Sequence, residues 1–283
     1  MTRSSDGCGT FKEVYRAFKQ ECNRYAKQKL IPVSNKAKMF NMTYSEKGME
    51  QLTSESFRNL LTEFDTFICG ADGLLWLRDG VILEASSLIN LLLENEKEVI
   101  ILTNDTTKTR ANHEQKLKEH RFSSKLTREQ IVTPGLVAAE YIKNTPNFKQ
   151  KVVYLIAAEG VQDDLANAGI KYFGEGPDLL SHSGTEAVVF NTDLSVNVED
   201  VGAVIVGFDK NFNYKKMMKA ANYLKNPNCL FLATNDDATF SCQRKDIVVP
   251  DAGKTITVRS TGQIEMLPNY YATSITALLP VIK

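Results

Sequence analysis

Apolar residues are grouped along the chain in short runs of strand length, separated by longer stretches of helical length. The runs at 64–69, 99–102, 152–156, 187–191, 203–207 and 230–233 predict buried strands. Helices are predicted between them, at 54–63, 87–94, 110–120, 136–143, 160–168 and 214–224. Strands that alternate with helices in this way predict parallel pairing with right-handed crossovers, and therefore an α/β fold.

The first 50 residues have a different character. They contain ten Lys or Arg and five Asp or Glu. Apolar residues recur there at helical spacing, which predicts an amphipathic helix from Thr10 to about Leu30 with a Thr10–Glu13 capping box. We interpret it as a docking or partner-binding helix. A mitochondrial presequence is the minor alternative, against which Asp6, Glu13 and Glu21 count.

The composition of the chain argues against several classes of protein, namely nucleic-acid binders, disulfide-rich secreted proteins and membrane proteins. The 283 residues include 34 Lys or Arg and 34 Asp or Glu, so no overall field favours nucleic acid or an anionic membrane. The five cysteines lack C-x-x-C spacing, which indicates reduced thiols in an intracellular compartment. No apolar run reaches the roughly 18 residues that span a bilayer, and no secretory segment follows Met1. We therefore predict a soluble, cytoplasmic protein.

The strand at 64–69 leads into a loop that contains the first candidate chemistry. Gly70-Ala71-Asp72-Gly73 follows it, and Leu75 and Trp76 come next. Loops at the carboxyl ends of parallel strands are where α/β sheets place their chemistry. The stretch resembles motif I of the haloacid dehalogenase superfamily, in the branch of the p-nitrophenyl phosphatase, phosphoglycolate phosphatase and chronophin enzymes, which reads D-x-D-G-x-L-W. The resemblance implies that Asp72 is the general acid/base, and that Gly70 stands where the nucleophilic Asp belongs.

A second stretch, from Thr103 to Arg110, follows the strand at 99–102 and is similar to T-N-N-S-T-K-S-R of the same family. Hydroxyl, amide and backbone N–H groups at a strand-to-helix turn suit phosphate, so Thr103 and Asn104 are the predicted phosphate ligands. Asp105 replaces the family's second Asn, and a carboxylate there repels phosphate. The alternative is a Thr- and Asn-rich N-cap of the next helix.

The stretches at 204–214 and 231–240 are similar to cap-domain signatures of the family. The resemblance implies a basic extension at 1–50, a Rossmann-like core at 51–133 and 262–283 that is truncated at its C-terminus, and a large α/β (C2-type) cap at 134–261. Caps supply specificity, so Asn235 and Asp237 are candidates to face a substrate, although they could simply cap a turn. Caps also pair in several members, which implies a homodimer or another protein partner.

Two further motifs of the family fail. Leu267 stands where a G-K-P motif has its Lys, and no G-D-x-x-x-T-D loop with a Mg²⁺-binding Asp follows. In the family, the strand that carries this loop lies beside the motif I strand. Without that neighbour, the strand that ends at Gly70 is expected at an edge of the sheet, where residues 1–50, a partner protein or a second copy of the chain would cover it. Cys69 is not a substitute nucleophile, because strand alternation aims it at the opposite face from Gly70.

We therefore predict a catalytically inactive pseudophosphatase that acts by binding or oligomerisation and needs no cofactor. The alternative is a Mg²⁺-dependent phosphatase of small phosphate monoesters with a rebuilt site. A binder of phosphorylated small molecules without turnover is the third possibility.

Overall fold

In the computed structural model of the chain, the structure describes residues 50–51, 54–77, 80–82, 84–179, 194–234, 239–240, 247, 249–250 and 270–271. Its elements follow in chain order. They are β1 (Glu50–Gln51), α1 (Ser54–Glu63), β2 (Thr66–Gly70), β3 (Trp76–Leu77), β4 (Gly80–Val81), α2 (Ala85–Glu94), β5 (Glu98–Leu102), α3 (Arg110–Glu119), β6 (Ile131–Val132), α4 (Pro134–Lys143), β7 (Val152–Ile156), α5 (Glu159–Asn167), β8 (Tyr172–Phe173), β9 (Val201–Val206), α6 (Tyr214–Tyr223), β10 (Leu230–Ala233), β11 (Thr239–Phe240), β12 (Val249–Pro250) and β13 (Tyr270–Tyr271).

Contacts divide the chain into two compact units. The first unit comprises the described parts of Phe18–Leu102 and Thr261–Lys283, together with Glu114–Ile131. The second unit comprises Thr103–His113 and the described parts of Val132–Ser260. By its contacts, the segment Thr103–His113 that follows β5 therefore belongs to the second unit. The domain boundaries that we drew from the sequence stay predictions.

The first unit is built on strands β2 and β5, in a sheet of order β2-β5-β6. Strands β2 and β5 run parallel, with Gly70 opposite Leu102. Side chains alternate across a strand, so Cys69 and Ala71 join the core that helices α1 and α2 cover, whereas Ile68 faces the other way and is 57% exposed.

Strand β2 is an edge strand in the described part of the chain, where it pairs with β5 alone. This agrees with the expectation from the sequence for that part; what covers the edge stays a prediction. A second, short parallel pair in this unit joins β1 to β13, with Glu50 opposite Tyr270. Nothing in the sequence pattern predicted that pair, because two residues are too few to show a period.

The second unit contains a parallel sheet of order β10-β9-β7-β8. Alternate residues of β7 serve two hydrophobic layers: Val153 and Leu155 pack with α4 and α5, and Tyr154 and Ile156 pack with α6. All six residues of β9 are buried, as expected for a strand that is covered on both faces. The α/β class predicted from the sequence is confirmed.

Several predicted elements have the observed bounds, including α1, β7 and β10. Helix α2 begins two residues earlier than predicted, at Ala85, and β9 begins at Val201 rather than Ala203. The predicted helix at 10–30, the strand at 187–191 and the residues Asn235, Asp237 and Leu267 lie outside the described residues. Within the described residues, no helix has the length and apolar character needed to cross a membrane.

Candidate functional site

The loop that follows β2, Gly70 to Leu75, is here called the aspartate loop. Its backbone is closed by several hydrogen bonds. The Ala71 N–H donates to the Leu102 carbonyl at 2.6 Å, and the Leu75 N–H donates to the Ala71 carbonyl at 2.9 Å. The Gly73 N–H donates to the Trp76 carbonyl at 2.9 Å. Gly73 has φ +84°, a backbone conformation that residues other than glycine rarely adopt. The turn therefore depends on local bonds and on Gly73.

Asp72, the predicted acid/base, is exposed, and its carboxylate is held by a residue of the adjacent strand β3. The indole Nε1–H of buried Trp76 donates to Asp72 Oδ1 at 3.1 Å. On the same ring, the Lys116 ammonium lies 4.0 Å from the ring centroid, which is a cation–π contact. The family's acid/base position is thus occupied by a carboxylate whose orientation is fixed by a hydrogen bond.

Gly70, the position of the lost nucleophile, lies at the exposed end of β2. Apart from its two chain neighbours, no described residue would have a heavy atom within 4 Å of a Cβ built there, and the backbone is not left-handed. A side chain would therefore fit at this position. The described residues thus leave room at Gly70 for the carboxylate that the resemblance implies at this position.

Cys69 does not replace the missing nucleophile. Its side chain is buried in the core of the first unit, and burial raises the pKa of its thiol to about 11. A neutral thiol on the core side of β2 is a poor nucleophile, because the thiolate is the reactive form. The interpretation from strand alternation agrees with this placement.

The segment Thr103 to Thr109, here called the threonine loop, is organised around Asp105. Thr103 is buried, and its Oγ1 accepts a hydrogen bond from the Asp105 N–H at 3.1 Å. The Asp105 carboxylate in turn accepts from the Thr107 N–H at 2.8 Å and from the Thr107 hydroxyl at 2.5 Å. Asn104 is exposed. The two predicted phosphate ligands therefore differ: Asn104 is at the surface and Thr103 is part of the loop interior.

The N-cap alternative applies to a different residue. Thr109 Oγ1 accepts from the Asn112 N–H at 3.1 Å, and Asn112 Oδ1 accepts from the Thr109 N–H at 3.0 Å. This reciprocal pair caps helix α3 at its first turn. Capping of α3 therefore does not account for Thr103 and Asn104.

A third group, centred on Asp164 of α5, was not predicted from the sequence. Its carboxylate accepts from Arg110 Nε at 3.1 Å and from the Thr133 hydroxyl at 2.5 Å. Burial raises the pKa of Asp164, and the hydrogen bond from Thr133 and the charge of Arg110 oppose that rise without cancelling it. Asp164 links three residues that all lie in the second unit: Arg110 is the first residue of α3, Thr133 is the N-cap of α4, and Asp164 lies in α5.

A buried ion pair joins the turn after β9 to helix α6. Lys216 Nζ lies 2.5 Å from Asp209 Oδ2, and their side chains are 0% and 5% exposed. The Asn213 side chain caps α6 by accepting from the Lys216 N–H at 3.0 Å. These contacts hold the turn after β9 to α6. The substrate-facing prediction rested on Asn235 and Asp237, which lie outside the described residues.

A Mg²⁺ site of the kind the resemblance implies does not fit the residues that the structure describes. Mg²⁺ takes oxygen ligands in an octahedral arrangement. Gly70 offers no side-chain oxygen, and the Asp72 carboxylate already accepts a hydrogen bond from the Trp76 indole at Oδ1. Within the described residues, no group of three or more His, Cys, Asp or Glu side chains could hold a metal ion.

Comparison with known proteins gives a consistent result. Residues 67–171 match the model of a family described as haloacid dehalogenase-like hydrolase. A NipSnap-named protein of Caenorhabditis elegans is 38% identical over 71% of this chain and 38% of its own length. Phosphoglycolate phosphatase 2 of Arabidopsis thaliana is 34% identical over 66% of this chain and 61% of its own length. For 4-nitrophenylphosphatase of Schizosaccharomyces pombe the identity is 30%, over 74% of this chain and 69% of that protein. The chain thus spans less than two thirds of the first two relatives.

Solved structures extend the comparison to the fold. A hypothetical protein from Pyrococcus horikoshii OT3 superposes with a TM-score of 0.52 at 24% identity, over 68% of this chain and 65% of that chain. A 4-nitrophenylphosphatase from Thermotoga maritima superposes with a TM-score of 0.52 at 21% identity, over 70% of this chain and 64% of that chain. At this level of identity the likeness concerns the fold alone.

Proposed function

Because this chain belongs to the haloacid dehalogenase-like hydrolases, of the type that includes phosphoglycolate phosphatase and 4-nitrophenylphosphatase, we propose that it is a catalytically inactive member that acts by binding. The observation that carries the proposal is Gly70. It ends β2 with no side chain, at the position where the family's motif has its nucleophilic carboxylate.

Phosphoryl transfer through a covalent intermediate requires a nucleophile in line with the leaving group. Gly70 cannot supply one, and the neighbouring Cys69 is neutral and buried. Leu267, by spacing, stands where the family has a Lys. Loss of a nucleophile from a set of residues that act as a unit costs on the order of a millionfold in rate in a serine-protease example. Asp72 alone does not restore that loss.

We propose a phosphorylated small molecule as the ligand, bound without turnover at the threonine loop. Asn104 and Lys108 are exposed and present an amide and an ammonium group. Both are donors, and both groups suit anionic oxygens. The Asp105 carboxylate opposes a phosphate dianion, so the affinity that we expect is weak. The hydrogen bonds from Thr107 hold this carboxylate within the loop.

The remaining parts of the proposal concern assembly and location. We propose that the chain forms a homodimer through its cap or binds another protein through the cap or residues 1–50, and that it works in the cytoplasm. A catalytically inactive protein of this kind would need no cofactor. Size-exclusion chromatography with light scattering gives the mass directly; a monomer at all concentrations would remove the homodimer from the proposal.

The second candidate function is hydrolysis of small phosphate monoesters with Mg²⁺. The observation that favours it is Asp72, which keeps the acid/base position with an orientation fixed by Trp76. The named activities of the phosphoglycolate phosphatase and 4-nitrophenylphosphatase relatives point the same way. This candidate requires another carboxylate to act in place of Gly70.

A thermal-shift titration combined with a product assay separates the two candidates. Phosphoglycolate is added to the purified chain with and without Mg²⁺, and free phosphate is measured in the same samples. The proposal predicts a concentration-dependent rise in melting temperature with no phosphate released. Phosphate release above the blank would contradict it and favour the second candidate.

A further inference from the structure

Helix α5 contacts the threonine loop through a glycine. The Gly160 N–H donates to the Thr106 carbonyl at 3.1 Å. A Cβ built on Gly160 would overlap the Lys108 carbonyl oxygen and lie 2.6 Å from the Thr106 carbonyl oxygen. Both obstructing atoms belong to the backbone, so a flexible side chain cannot move aside to relieve the overlap. The loop backbone therefore lies against α5 at a distance that only glycine permits.

The same helix also fixes the end of the loop, four residues further along. Asp164 lies one helical turn after Gly160, and its carboxylate accepts from Arg110, which begins α3 directly after the loop. The Arg110 and Asp164 side chains are 13% and 1% exposed, so solvent screens this pair little.

Asp164 is itself held in position. The Thr133 hydroxyl donates to it at 2.5 Å, and a Cβ on Gly135 would lie 2.7 Å from Asp164 Oδ2. Helices α4 and α5 therefore pack closely enough that the carboxylate has little freedom. The loop is thus held at two points, Thr106 to Lys108 and Arg110, by one rigid helix.

We propose that α5 sets the ligand affinity of the threonine loop, with Gly160 and Asp164 as positioning residues that do not touch the ligand. The inference rests on the proposed function in one respect, namely that the loop binds phosphate. A loop held at both points keeps its donors in one arrangement, and displacement of donors by about 1 Å costs on the order of a hundredfold in well-characterised sites.

The test compares Gly160→Ala with Gly202→Ala. The control places a Cβ 2.6 Å from atoms of Lys151 and Phe148, in the same unit but away from the loop. For each variant, inorganic phosphate affinity is measured by calorimetry, and amide hydrogen exchange is measured in peptides that cover 103–113. We expect both variants to lower the melting temperature. Only Gly160→Ala should weaken phosphate binding, by roughly tenfold or more, and speed exchange in those peptides.

Asp164→Asn provides a second test if Gly160→Ala does not fold. It keeps an acceptor for Thr133 but removes the charge that holds Arg110, so we expect faster exchange at 103–113 and weaker phosphate binding. The inference would be overturned if amide exchange in the loop were as slow in the folded Gly160→Ala and Asp164→Asn variants as in the wild-type chain. If the wild-type chain binds no phosphate, the proposed ligand is wrong, and the exchange data alone then decide whether α5 holds the loop.

Discussion

The aspartate loop and the threonine loop have departed from the family pattern in different ways. Relative to the motif that the resemblance implies, the aspartate loop keeps a closed turn and a hydrogen-bonded Asp72 but has Gly70 in place of a carboxylate. The threonine loop keeps its packing against α5, and Asp105 adds a carboxylate to it. One loop has a glycine where the resemblance implies a charge, and the other has a charge, on Asp105, inside a network of hydrogen bonds.

This difference indicates how function and fold are separated in the chain. A Cβ at Gly70 would contact no described residue beyond its chain neighbours, so we expect a side chain there to change the chemistry without changing the packing of those residues. The threonine loop is tied to Asp164 and Gly160, so it persists for structural reasons whether or not a ligand binds. A sequence pattern that survives at the threonine loop is therefore weak support for turnover. Direct tests of both loops are needed.

The largest expected effect is on stability, from Asp164→Ala. Removal of one partner leaves Arg110 without its buried carboxylate and Thr133 without its acceptor, so the free energy of unfolding should fall by about 3–5 kcal/mol. Urea denaturation measures it. Asp72→Ala is the matched change in the exposed aspartate loop and should lower stability by about 1 kcal/mol or less. Equal losses would break the comparison.

The next effect concerns the thiol of Cys69. Because burial raises its pKa to about 11, from a usual value of 9.0, only about 1 in 100 native molecules carries the thiolate at pH 9. Alkylation of Cys69 at pH 9 should therefore be roughly fifty-fold slower in the native chain than in urea, as followed by mass spectrometry of its peptide. A raised folded pKa also means that the associated stability is present below pH 9 and is lost as the pH rises towards 11. Rapid native alkylation would show that β2 exposes both faces.

Asp105→Asn tests the charge in the threonine loop. The amide oxygen can still accept from Thr107, so the turn is kept while the negative charge is removed. Phosphate affinity should rise by about three- to tenfold, as expected for one like charge removed near the surface. Calorimetry with inorganic phosphate at constant ionic strength measures the change. An unchanged affinity would mean that phosphate does not bind near Asp105.

The smallest expected effect is on stability, from Gly70→Asp. Apart from the chain neighbours, no described residue has an atom within 4 Å of the added Cβ, so the free energy of unfolding should change by less than about 1 kcal/mol. Chemical denaturation measures this. Gly160→Ala, where the Cβ would overlap backbone atoms, is the contrasting glycine change. A large loss of stability in Gly70→Asp would mean that the position is not open and that more than the carboxylate has been lost there.

Much of the fold could be predicted from apolar runs, because strands such as β7 and β10 are buried and uninterrupted. The two-residue strands β3, β4, β6 and β8 could not, because two residues are too few to show a period of hydrophobic positions. At the site, Gly70 and Asp72 followed from a local motif. Asp164 did not: its partners Arg110 and Thr133 are 54 and 31 residues away along the chain. Nothing local to Asp164 distinguishes it in the sequence from the half-buried Asp163 beside it in the same helix.

The most direct test of the central claim is hydrolysis of p-nitrophenyl phosphate by the purified chain, with and without Mg²⁺, beside Asp72→Asn. If the missing carboxylate at Gly70 has abolished turnover, both proteins release nitrophenol at the rate of the blank under both conditions. A Mg²⁺-dependent rate in the wild-type chain that is lost in Asp72→Asn would contradict the claim and show that another carboxylate acts in place of Gly70.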